Sequence, residues 1–211
     1  MPRALRRPGL WIGLVCLLPL LRLVVLAMAG QLGANPIEFI THSTGTWTLV
    51  GLLVTLAVTP LRHLTGQAVL VRYRRMLGLF AFGYACLHFL TYLWLDQFFE
   101  LAAIARDVVK RPFITVGFAA FVLLVPLAAT SSRAMMRRLG RNWQRLHRLV
   151  YVIAALGVVH YLWLVKKDVT QPLVYGSVLV LLLAMRLPAV VQAVVGLRTR
   201  IAQRTAEMPH R

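Results

Sequence analysis

The feature that most constrains this chain is a set of apolar runs, each about as long as a bilayer is thick. A helix crossing the hydrocarbon core needs about 20 mostly apolar residues. Six segments qualify: 10–29, 44–61, 76–95, 113–130, 147–165 and 172–190. Runs such as Val178-Leu179-Val180-Leu181-Leu182-Leu183-Ala184 are apolar at every position, whereas a spanning β-strand alternates apolar and polar residues. Backbone groups in lipid must be satisfied within their own segment, which leaves helices. The composition agrees: 59% of the 211 residues are apolar and 14% charged, against about 45–50% and about 25% in a soluble domain. The reading is an all-α, six-helix transmembrane bundle over residues 10–190. A short N-terminal segment, 1–9, precedes it, a basic tail, 191–211, follows it, and there is no soluble domain.

Lys and Arg number 24 against 6 Asp and Glu, a formal charge of +18. An excess of this size suits nucleic acid or an anionic membrane surface, and the bilayer-length apolar blocks exclude nucleic acid. If the N-terminus is cytoplasmic, the segments on that side carry 16 Lys and Arg and those on the other side 5. The positive-inside rule therefore places both termini in the cytoplasm. Five of the six acids (Glu38, Asp96, Glu100, Asp107, Asp168) fall on the outer side, so the charge is an anchoring pattern facing anionic membrane lipid. Arg3, Arg6 and Arg7, an apolar run and Ala27-Met28-Ala29 also resemble a signal peptide, but the run is long for one and contains Arg22. It is read as a retained span. Cys16 and Cys86 stand alone and form no zinc, disulfide or haem-attachment spacing.

Intramembrane ionisable groups are costly and mark function. His88 lies past the midpoint of the third span and His160 past that of the fifth. At ~1.5 Å per residue both lie ~18–20 Å from the cytoplasmic end, at one depth in the outer half. Two imidazoles at one depth on parallel helices suit the two axial positions of a haem iron. The competing reading is that each bonds a neighbouring helix. Gly83, Ala85 and Gly157 leave room for a flat macrocycle, and Phe89, Tyr92, Tyr161 and Trp163 follow the two histidines. His147, at the inner end of the span that carries His160, suggests a second haem near the inner face. Against it, the spacing from His147 to His160 leaves the two side chains about 140° apart on an ideal helix, and Arg74 or Arg75 stands where an opposing ligand belongs. One haem and two haems both remain open. Arg22, at the depth of His88 and His160 with no acid beside it, either pairs with a haem propionate or snorkels to the headgroups; for Arg186, snorkelling suffices. His42 is read as interfacial, and His63 and His210 as solvated.

Several stretches carry a family resemblance: Gly33-Ala34-Asn35-Pro36, His42-Ser43-Thr44-Gly45, Thr59-Pro60-Leu61, Arg74-Arg75-Met76-Leu77-Gly78-Leu79 with His88, and Arg111-Pro112-Phe113-Ile114-Thr115-Val116-Gly117. The longest is Thr130-Ser131, Arg138-Leu139-Gly140, Trp143, Leu146-His147, Tyr151 and His160-Tyr161-Leu162-Trp163. They resemble the MsrQ (formerly YedZ) family, haem-binding membrane subunits of periplasmic methionine sulfoxide reductase systems. The wider relatives are the ferric reductase and NADPH oxidase transmembrane domains, which use histidine pairs on spans three and five. His88, His147 and His160 match three of those four positions, and Arg74/Arg75 departs at the fourth.

The resemblance implies a multi-pass protein of the bacterial inner membrane that binds haem b. It further implies electrons drawn from the quinone pool, with FMN associated, and passed to a periplasmic molybdenum-cofactor reductase (MsrP-like). That partner would reduce methionine sulfoxide in oxidised envelope proteins, so this chain is an electron-transfer subunit and not itself an enzyme. It has no dinucleotide-binding GxGxxG element, and its loops are too short for a flavin or nicotinamide domain. FMN contacts are not assigned: the basic loops 62–75 and 131–146 suit a phosphate and equally serve topology. Glu38, Asp96, Glu100 and Asp107 mark the expected docking face. The alternative function is a proton-coupled transporter using intramembrane histidines; such proteins often show inverted repeats, and no convincing repeat is evident. A structural anchor for a partner enzyme is the third reading.

Overall fold

The computed structural model describes residues 6–207; Arg3, His210 and the outermost parts of the two terminal segments lie outside them. Among the described residues the chain forms ten α-helices: α1 (Arg6–Met28), α2 (Pro36–Thr65), α3 (Arg74–Thr91), α4 (Leu101–Lys110), α5 (Pro112–Ala129), α6 (Arg133–Leu139), α7 (Arg141–His147), α8 (Leu149–Leu164), α9 (Thr170–Ala184) and α10 (Pro188–Glu207). Five helical stretches among the described residues are long and apolar enough to cross a membrane: Pro8–Met28, Pro36–Thr65, Ala68–Asp96, Pro112–Ala129 and Arg141–Leu164. The expected helical transmembrane bundle is what the chain forms. One end of it carries the loops around Asn35, Asp96, α4 and Asp168. The other carries the basic loops around residues 66–73 and 130–148.

The sixth span departs from expectation. Continuous helix was expected over 172–190, but α9 ends at Ala184 and α10 leaves it at 76°. Pro188 opens α10; it has no N–H to donate and disfavours helical backbone in the residue before it. The 15 residues of α9 extend only ~22 Å, less than the ~30 Å hydrocarbon thickness. The tail is helical as far as Glu207. Segment 96–112 also differs, since it holds α4. Its Leu101, Ile104 and Val108 fall at helical spacing, a period hidden by the charges between them.

Arg186 sits at the α9–α10 break and turns inward, not toward headgroups. Pro60 inside α2 leaves the Leu56 carbonyl without its i+4 donor. Arg186 Nη2 donates to that carbonyl at 2.6 Å, and Nη1 donates to the Tyr151 hydroxyl at 3.0 Å. The guanidinium thereby ties α9 to α2 and α8. A similar device fixes α1. The Tyr84 hydroxyl of α3 accepts from Leu20 N–H (3.2 Å) and donates to the Cys16 carbonyl (2.7 Å), inserting into the ladder beside Pro19.

The core gathers Leu49, Leu52, Leu53 and Leu56 of α2, Ala81 and Ala85 of α3, Leu124 and Leu127 of α5, Val150, Ile153 and Ala154 of α8, and Leu179 and Leu182 of α9. Close helix approach in lipid depends on small residues. At Gly51 of α2, a Cβ would lie 2.9 Å from the Ala81 Cβ of α3. The outward faces stay apolar, as Leu18, Leu21, Val180 and Leu181 illustrate, which suits hydrocarbon rather than water. Helices α2, α3, α5 and α8 surround the site, in two hairpin-like pairs, α2 with α3 and α5 with α8.

Candidate haem site

The His88 and His160 rings face each other in the bundle, with centroids 6.1 Å apart and planes at 75°. Each is fixed in the same way. His88 Nδ1 donates to the Thr41 carbonyl of α2 at 3.0 Å, and His160 Nδ1 donates to the Phe113 carbonyl of α5 at 2.7 Å. A carbonyl only accepts, so the proton of each neutral ring is held on Nδ1 and the lone pair on Nε2. Orientation by a second partner of this kind is what metal-ligating histidines have. Imidazole–metal bonds are about 2.0–2.1 Å, with zinc as the gauge. Two opposed ligands with such bonds, each ring centre about 1 Å behind its nitrogen, stand about 6 Å apart. The observed separation fits a metal centre between the two rings.

Both rings lie across a glycine. A Cβ on Gly45 would come within 3.0 Å of His88 Cε1, and one on Gly117 within 2.6 Å of His160 Nδ1. Each glycine is four residues after the carbonyl that receives the histidine proton. Thr41, Gly45 and His88 recur as Phe113, Gly117 and His160, with identical spacing between successive members. The two helix pairs are therefore a repeat in parallel orientation, carried by side-chain geometry. It is a parallel repeat, not the inverted one expected of a transporter, and beyond the histidine and the glycine the two copies share only scattered apolar residues such as Leu52/Leu124 and Leu90/Leu162.

A cavity of about 520 Å³ adjoins the pair, within the ~300–1,000 Å³ range of ligand pockets. Leu49, Leu52, Phe89, Phe118, Phe121, Leu124 and Ile153 form its apolar walls. Ala85 and Gly157 line it as expected, and so do Tyr92 and Tyr161. Gly83 and Trp163 do not, and Trp163 is 53% exposed. His42, read from sequence as an interfacial side chain, is part of the wall. A flat apolar macrocycle carrying an iron fits this combination of two oriented imidazoles, two glycine cradles and aromatic walls.

The other sequence candidates stand apart. Arg22 is level with His88, since Gly9 and Gly13 of α1 face Tyr73, just before α3, and Phe80 of α3, and Cys16 meets Tyr84. Its side chain is nevertheless exposed and does not line the cavity. His147 ends α7, just before the break that starts α8. It stacks on Trp143 at 4.0 Å, and its Nε2 lies 3.1 Å from the Thr130 hydroxyl. No second histidine ring faces it among the described residues. Sequence reasoning missed Thr41, Gly45, Phe113 and Gly117 as site residues. Their repeated spacing was the available signal.

Residues 44–158 match the model of the ferric reductase like transmembrane component family. Over 176 residues the chain is 59% identical to the protein-methionine-sulfoxide reductase heme-binding subunit MsrQ of Herminiimonas arsenicoxydans, covering 82% of this chain and 81% of that protein. To the protein of the same name from Ralstonia nicotianae it is 56% identical over 188 residues, 88% and 87% of the two chains. Its counterpart in Rhodospirillum rubrum is 56% identical over 177 residues, 83% and 85%. The matches span nearly the whole bundle at this identity, and the chain therefore belongs to the MsrQ family of haem-binding, ferric reductase-like membrane proteins.

Proposed function

We propose that this chain is the b-type haem electron-transfer subunit of a bacterial inner-membrane system, with His88 and His160 as the axial ligands of one haem. The observation that carries the reading is the matched fixing of the two rings, each with Nδ1 on a backbone carbonyl and Nε2 free. A bound haem supplies a one-electron iron couple at that position. The carbonyls of Thr41 and Phe113 set the tautomers, Gly45 and Gly117 admit the rings, and the phenylalanine and leucine walls exclude water. His147, bonded to Thr130, is left outside this centre.

The basic end faces the cytoplasm in this reading, with both termini there, as the charge bias requires. Segments 1–9 and 191–211 flank the six-span domain on that side. The chain draws electrons from quinol, with FMN as the flavin associated with such systems, and the basic loops 62–75 and 131–146 are the surfaces offered to a flavin phosphate. It delivers them at the α4 end to a soluble periplasmic molybdenum-containing methionine sulfoxide reductase of the MsrP type. Glu38, Asp96, Glu100 and Asp107 mark that face. The partner performs the reduction, and no catalytic residue is assigned here.

The test uses membranes containing the chain, reduced anaerobically until the b-type band is full. Adding methionine sulfoxide together with the purified periplasmic reductase is expected to bleach the band, and neither addition alone does so. A band that persists with both present contradicts the proposed partner.

A further inference from the structure

The cavity between His88 and His160 has two chemically different ends. We infer that a haem sits in it with both carboxylates at the α4 end, held by the guanidinium of Arg111 and the hydroxyl of Tyr92. The inference rests on the haem reading above and adds an orientation and two binding residues to it.

The deep end excludes the alternative. Leu49, Leu52, Leu124 and Ile153 close it, each 5% exposed or less. Carboxylates turned that way would be buried without partners, which is strongly unfavourable. At the α4 end the wall changes character, with Asn35, Glu38 and His42 at the start of α2, Tyr92 and Asp96 in the π-helical turn that follows α3, and Arg111 capping α5.

Two of these groups have bonding capacity to spare. Arg111 is the one Lys or Arg among the described residues lining the cavity. Its ion pair with Asp107 is 3.4 Å long, beyond the ~2.7–2.9 Å of a charge-assisted hydrogen bond, so most of its five N–H donors stay open. The Tyr92 hydroxyl is buried and has no hydrogen-bond partner, a rare condition that requires a cause. Asp107, which accepts from Gln97 Nε2 at 3.1 Å, stands near it as a competing acceptor. Tyr92 lies four residues beyond His88 and therefore on the same helix face. Glu38 and Asp96 also line this end and would repel an added carboxylate. Each already accepts from an amide, Asn35 Nδ2 and Gln97 Nε2, both at 3.0 Å. Of the donors at this end, Arg111 supplies the one fixed positive charge and Tyr92 the buried hydroxyl without a partner, with the His42 imidazole as a further, exposed donor. The role considered for Arg22 thus passes to a residue that reaches the cavity.

The experiment compares haem b with its dimethyl ester, which keeps the macrocycle and iron but lacks both carboxylate charges. Full-length chain expressed without haem is titrated with each compound, and binding is read from the low-spin spectrum. Arg111→Gln is expected to weaken haem b binding about 10- to 100-fold, the equivalent of one charge-assisted hydrogen bond, with partial recovery in Arg111→Lys. Tyr92→Phe weakens it less. Neither substitution changes binding of the ester. If Arg111→Gln binds haem b as tightly as the unsubstituted chain, or loses haem b and ester equally, the assignment is overturned. An unsubstituted chain that takes up no haem b overturns the haem reading itself, which is a separate failure.

Discussion

Gly117→Ala is expected to lose most of its haem, and Gly45→Ala a smaller share. At Gly117 the added methyl would stand 2.6 Å from His160 Nδ1 and 2.8 Å from Cε1. The ring is pinned to the Phe113 carbonyl at 2.7 Å, so it cannot give way without breaking the bond that sets its tautomer. Overpacking costs about 1–3 kcal/mol and the lost hydrogen bond about 0.5–1.5 kcal/mol. Together they imply at least a tenfold loss of haem affinity. Gly45 is less tight, with contacts of 3.0 and 3.1 Å to His88. The check is haem per chain by pyridine haemochrome, on protein that elutes as a single species. A Gly117→Ala protein with full haem and an unchanged low-spin spectrum contradicts this account of the cradle.

The second large effect is expected at Gly51, where the bundle itself is at stake. Even a single Cβ would lie 2.9 Å from the Ala81 Cβ and 3.1 Å from its Cα, and the Cα belongs to backbone that cannot rotate aside. Ala81 is 1% exposed, so α2 and α3 would have to separate along the crossing that carries His88. Gly51→Val adds two further carbons, at a cost of about 3 kcal/mol or more. Most of the protein is then expected to aggregate on extraction, and the remainder to melt well below the unsubstituted chain. Gly78→Ala is the control, since its Cβ would meet only the Thr55 methyl at 3.7 Å. If Gly51→Val extracts and melts like the control, the close crossing is not what holds α2 to α3.

The bundle was legible in the sequence because lipid simplifies the problem. Segments of bilayer length have to be helices, and five spans fall close to where apolar content places them. Span six was overextended because hydropathy continues smoothly through Met185, Arg186 and Leu187, while the break depends on Pro188 and on Arg186 bonding the carbonyl that Pro60 leaves free. Equal depth brought out His88 and His160, since the constant rise of a helix converts residue number directly into height. Depth says nothing about direction around a helix. Arg22 is level with the pair yet points away from it, and Arg111, outside the spans, reaches the cavity. The glycine cradles were missed for a related reason. They are specified across helices, by which backbone each ring lies against, and only their repeated spacing appears in the sequence.

The most direct test of the central claim is haem content with the low-spin spectrum in the unsubstituted chain, His88→Ala, His160→Ala and His147→Ala. The account predicts a six-coordinate b-type haem in the unsubstituted chain, its loss in each of the first two variants, and its retention in His147→Ala. A His88→Ala or His160→Ala protein that keeps that haem with an unchanged axial signature would contradict it.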